Sequence, residues 1–206
     1  MDGSNIPNNE QLEPGMYTIE INDSQDHLTI DESLIRNVIE TTLSVERVAR
    51  AAISVALVDN AKIHELNRQF LNHDYETDVL SFLLECEKHE TRSEDEDSQY
   101  PGAGLHIEGE LIISTEMAAQ RAADYHWSFG DELVLYLVHG LLHLVGYDDQ
   151  TEDQREQMRA RERAILSHWN LTPHYTQPES SMASERLEIS GDGLSFLPEQ
   201  QRGANS

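Results

Sequence analysis

The chain has 206 residues, with 39 acidic against 14 basic side chains and a formal net charge of −25. Its one cysteine, Cys86, excludes a disulfide framework and suits a reducing compartment, read here as the cytoplasm. No apolar run approaches the ~18 residues a membrane span needs, so no membrane role is expected. The acidity argues against a general electrostatic grip on nucleic acid. The charge is uneven, however: acids crowd residues 85–97, whereas Arg155, Arg159, Arg161 and Arg163 share one short stretch.

Residues 1–15 lack the basic start and apolar core of a secretory signal, and with residues 172–206 they read as disordered tails rich in Ser, Pro, Gly, Glu, Gln and Asn. The body, residues 16–171, opens with an alternating strand over Met16–Ile21. Leu34, Ile35, Val38, Ile39 and Leu43 then recur at helical spacing from Asp31 to about Ala49. Ala52–Val58 reads as a buried strand, and Asp59 as the N-cap of a helix reaching about Phe70. Strands follow at Val79–Leu84 and Leu105–Ser114, separated by an acidic surface insertion near residues 85–104. Helices are expected over Thr115–His126, Asp131–Val145 and Thr151–Trp169. This order builds a small sheet covered by helices, an α/β or α+β layered domain.

His139 and His143 stand four apart on an apolar helix. At ~100° per residue their directions differ by only ~40°, with ~6 Å of rise between them, so both imidazoles can close on one metal ion. Gly146 is placed to end that helix in a left-handed conformation and turn the chain, bringing Asp148 or Asp149 back towards the histidines. Two nitrogens, one carboxylate oxygen and an open position make a catalytic zinc pattern rather than a closed structural one. A zinc peptidase of the two-histidine type carries Glu directly after the first histidine. Gly140 occupies that position, which counts against peptide cleavage.

The run His139-Gly-Leu-Leu-His143-Leu-Val-Gly146-Tyr147-Asp148 resembles the HGxLHLxGYDH signature of the YbeY family, bacterial endoribonucleases of ribosomal RNA maturation. Two further blocks support the likeness. Glu65-Leu66-Asn67 and Thr77-Asp78-Val79-Leu80-Ser81-Phe82 resemble the family's ELN and TDVLSF, and Gly109-Glu110-Leu-Ile-Ile-Ser114 stands where it usually reads GDIxIS. The resemblance implies an α+β fold with a small four-stranded, mainly parallel mixed sheet covered by helices. It also implies one zinc ion per chain, held by His139, His143 and a third family histidine that aligns with Asp149 here. Asp148 matches the family's own Asp, which favours Asp149 as the ligand. A carboxylate is an accepted zinc ligand; it weakens the Lewis acid and widens tolerance towards Mn²⁺ or Fe²⁺.

A second departure falls at Leu71, where the family usually places an arginine important for activity. Arg68, one helical turn earlier, is the candidate replacement, with His73 as another possible donor. Thr77, Asp78 and Ser81 are candidate substrate contacts. Arg121 and the Arg155–Arg163 helix are candidate phosphate partners, the latter alternatively a solvated face paired with Glu152, Glu156 and Glu162. The family implies cleavage of single-stranded ribosomal RNA and work with the small ribosomal subunit and its assembly proteins. A ribosome-assembly factor with a weakened site is the second reading, on the strength of Leu71 and Asp149. A metal-dependent hydrolase of another substrate is the third.

Overall fold

The computed structural model describes residues 16–26, 28–88 and 100–175, together with the backbone of 186–188. The N-terminal tail, most of the acidic insertion and most of the C-terminal tail lie outside these residues. Strands β1 (Met16–Asp23), β2 (Arg50–Val58), β3 (Val79–Lys88), β4 (Leu105–Ser114) and β5 (Arg186–Glu188) form one mixed sheet in the order β1-β2-β4-β3-β5. β1 runs parallel to β2 and β2 to β4, while β3 is antiparallel to β4. The α+β architecture and the mainly parallel four-stranded mixed sheet are therefore present. The short β5, parallel to β3 through Ser81–Leu83, adds a fifth strand from a stretch the sequence assigns to the tail. Among the described residues no helix is long and apolar enough to cross a membrane.

Helices α1 (Glu32–Val45), α2 (Asn60–Leu71), α3 (Thr115–Tyr125), α4 (Phe129–Leu144) and α5 (Glu152–Leu166) cover the sheet. Asp31 caps α1, accepting from the backbone N–H of Ser33 and Leu34, and Asp59 caps α2 through Lys62. Period-two alternation along β3 separates two cores. Val79 and Leu83 join Leu111, Ile113 and the apolar body of α4 on one face; Leu80 and Phe82 meet Ile63, Leu66 and Phe70 of α2 on the other. The site-bearing helix α4 and the helix α2 thus lie on opposite faces of the sheet.

Several boundaries differ from expectation, among them α1, which ends at Val45 rather than about Ala49. β3 continues to Lys88, drawing Glu85–Lys88 of the acidic segment into register with Leu105–Glu108 after a bulge at Leu84. Their side chains are exposed, so their charge stays in water while the backbone completes its ladder. The body also runs past residue 171: Pro173 is buried, and His174 stacks on Tyr125 at 5.3 Å.

Candidate metal centre

Helix α4 is buried from Glu132 to Leu144, yet it carries the polar side chains Glu132, Tyr136, His139 and His143. At ~100° per residue these four fall within ~60° of one another, a polar stripe along one side of an apolar helix. Ser128 and Asp131 close a capping box that fixes its start. Gly140 sets its depth. A Cβ there would stand 2.9 Å from Leu111 Cδ2, 3.0 Å from Ser81 Oγ and 3.2 Å from Val79 Cγ2. The backbone of α4 therefore rests directly on β3 and β4, and no glutamate fits between the histidines.

The end of α4 is a Schellman turn. Tyr147 N–H donates to Leu142 O at 3.0 Å and Gly146 N–H to His143 O at 3.1 Å, with Gly146 at φ +108°. The Tyr147 carbonyl meets His143 Nδ1 at 3.1 Å, and its hydroxyl donates to Glu46 Oε2 at 3.2 Å. Glu46 is itself fully buried and ion-paired with Arg161. The next two residues separate the competing ligands. Asp148 Oδ1 accepts the backbone N–H of Asp149 at 2.8 Å, whereas Asp149 joins His139 and His143 in a group whose ligand atoms all lie within 4.8 Å of one another.

His139 Nδ1 lies 2.6 Å from Glu162 Oε1. A carboxylate and a carbonyl only accept, so both Nδ1 atoms carry the proton and each Nε2 is left as the ligand atom. Burial alone would lower the pKa of His139, but Glu162 first, then Asp78 and Asp149, outweigh it and hold the pKa above the usual imidazole range. Burial raises Asp149, and Asp148 and Glu162 push the same way. Two imidazoles and one carboxylate make a donor set that fits a divalent cation, with Glu162 adding negative charge behind His139.

The remaining candidates divide. Thr77, Asp78 and Ser81 are all buried. Ser81 lies beneath Gly140, sealed under α4. Thr77 donates to Asp78 Oδ1 at 3.2 Å, and that oxygen also accepts Val79 N–H at 3.0 Å, so the pair fixes the entry to β3. Asp78, raised by burial, is close enough to His139 for their charges to interact. Arg68 is exposed on α2, across the sheet from the histidines; the structure does not bring it to the metal donors. Leu71, half-buried at the end of α2, packs against the core beneath that helix.

The arginine helix is not a merely solvated face. Arg161 holds Glu46, and Arg155 lies in the field of Asp149. Glu162, expected to be a surface partner, is buried against His139. Its i,i+4 neighbours on α5 give no hint of this; a buried acid among arginines becomes recognisable only once the facing helix is known.

The model of the family described as Endoribonuclease YbeY matches residues 19–170. The chain belongs to the YbeY family. An Endoribonuclease YbeY of Desulfitobacterium hafniense is 47% identical over 122 residues, covering 59% of this chain and 73% of that protein. One from an Exiguobacterium species is 36% identical over 152 residues, 73% of this chain and 94% of the relative. A solution structure from Thermotoga maritima, 22% identical, gives a TM-score of 0.45 over 80% of this chain and all of that one. Against the YbeY signature, the carboxylate that replaces its last histidine is the residue brought to the two imidazoles, so the departure falls within the donor set itself.

Proposed function

We propose that this YbeY protein is a zinc-dependent endoribonuclease that hydrolyses phosphodiester bonds of single-stranded ribosomal RNA, in rRNA maturation and ribosome quality control in the cytoplasm. The observation that carries the reading is the convergence of His139, His143 and Asp149, with both Nδ1 atoms already engaged. Zinc held by His139, His143 and Asp149 would supply Lewis acidity for the hydrolysis. The chain's own groups do the rest. Glu162 and the Tyr147 carbonyl hold the Nδ1 protons and so aim the imidazoles, while Asp149 adds a hard oxygen donor. Arg155, whose charge acts on Asp149, would meet a phosphate charge, and the close fit at Gly140 keeps a peptidase base out of the site.

A second reading, a ribosome-assembly factor with a weakened site, is favoured by Leu71, which brings no guanidinium to the position where the family usually has one. Metal content and RNA cleavage separate the two. About one zinc per chain, lost in Asp149→Ala and kept in Asp148→Ala, together with cleavage of a single-stranded RNA oligonucleotide, is the expected result. Zinc binding without cleavage of any RNA, small-subunit rRNA included, would favour the assembly role. Absence of zinc after zinc is added would overturn the hydrolase reading.

A further inference from the structure

The metal-centre reading rests on His139, and His139 rests on a chain of contacts that continues outward. Glu162 Oε1 meets His139 Nδ1 at 2.6 Å, and its other oxygen, Oε2, accepts the Tyr175 hydroxyl at 2.7 Å. The Arg159 carbonyl also lies 3.2 Å from that hydroxyl, but the charged acceptor makes the shorter and stronger bond. Arg159 and Arg163 place their guanidinium carbons 4.9 and 5.5 Å from the centre of the Tyr175 ring. Pro173 is buried beside it, and His174 packs on Tyr125 and Trp127. The segment bearing Tyr175 is therefore docked on the body, although it lies beyond residue 170, where the family match ends.

We infer that Glu162 and Tyr175 are positioning residues of the metal centre: Tyr175, through Glu162, fixes the orientation and basicity of His139 and thereby sets the affinity for the metal. Glu162 uses one oxygen for each partner, so it cannot rotate away from His139 without breaking its bond to Tyr175. The Tyr175 hydroxyl is held protonated, because burial and the neighbouring Glu162 charge both raise its pKa. It therefore remains a donor over the whole working range, and the imidazole keeps its Nδ1 proton and presents Nε2. Partners of this kind typically contribute 10- to 100-fold to metal affinity.

The test uses the full chain, with zinc affinity measured by competition against a chromogenic chelator and the ligand field read from the visible absorption of the Co²⁺ form. Glu162→Gln keeps the shape of the side chain and removes its charge; it is expected to weaken zinc binding by roughly 10- to 100-fold. Tyr175→Phe keeps the ring and its arginine contacts and removes only the hydroxyl, for an expected loss of roughly 2- to 10-fold and a shifted Co²⁺ spectrum. In the double variant, Tyr175→Phe should add nothing, since its effect passes through Glu162. Parent-like affinity and spectra in both single variants would overturn the proposal and leave the metal centre standing. A Tyr175→Phe loss that persists beside Glu162→Gln would overturn the coupling. A parent that takes up no zinc would overturn both proposal and centre.

Discussion

His143 Nδ1 and the carbonyl oxygen of Tyr147 lie 3.1 Å apart, so the residue whose N–H closes the turn after α4 also fixes the tautomer of the histidine one turn before it. The same tyrosine reaches with its hydroxyl to Glu46 at the end of α1. Helix stop, ligand orientation and attachment to a neighbouring helix are thus combined in one residue. Asp149 follows two positions later, and its approach to the imidazoles depends on that turn being held.

Glu46 is fully buried, and Arg161 is its cationic partner. Arg161→Met removes the charge that compensates it, and burial, which already raises the Glu46 pKa, is then unopposed apart from Tyr147. The expected cost is about 3–5 kcal/mol of unfolding free energy, read from urea denaturation. A loss below about 1 kcal/mol would show that the pair contributes little at this helix junction.

Gly140 tests the seating of α4. Gly140→Ala gains up to about 1 kcal/mol in helix propensity but forces its methyl against Leu111, Ser81 and Val79. Overpacking of this kind typically costs about 1–3 kcal/mol, so net destabilisation is expected, with a lower urea midpoint and weaker zinc retention. A variant more stable than the parent would contradict the close contact.

Glu132, two turns before His139 on the polar stripe, has its pKa pushed up to about 7, first by burial and then by Asp78. A carboxyl whose folded pKa exceeds its unfolded value near 4.5 binds its proton more tightly when folded, so stability falls as pH rises between the two. Glu132→Gln removes that dependence. In chelator it should match the parent near pH 4.5 and exceed it at pH 7.5 by up to about 3 kcal/mol. Parallel stability curves for the two proteins would refute the assignment.

The exposed Arg68 and the half-buried Arg155 make opposite forecasts for RNA cleavage. Arg68→Ala, across the sheet from the donors, should cleave a single-stranded oligonucleotide at the parental rate. Arg155→Ala, beside Asp149, should weaken substrate binding and steepen less with falling salt, having lost one phosphate contact. Reversal of the pair would move the RNA path to the α2 side.

Much of this was legible in the chain because it depends on local periodicity. The four-residue spacing of His139 and His143, the stop at Gly146 and the N-caps Asp31 and Asp59 are all local signals, and each stands as read. The burial of Ser81 was not legible, because it comes from the approach of α4 through Gly140. Glu162 escaped notice because a helix as charged as α5 hides its one buried acid among solvated neighbours. Tyr175 sits in a segment whose composition suggests a tail, and its role depends on a contact 13 residues back along the chain. Tertiary contacts, which no spacing encodes, decide all three.

The seating of α4 on β3 and β4 also orders events in folding. β2 pairs with β4 across more than 50 residues, Arg50 with His106, a non-local closure of the sort that slows folding. Asp149 and Glu162 can gather around the histidines only after that sheet supports the helix. Zinc should therefore bind the native topology far better than the unfolded ensemble, and metal uptake during refolding becomes a clock for completion of the sheet. At 100 times its dissociation constant, the ion would deepen the native well by about 2.7 kcal/mol.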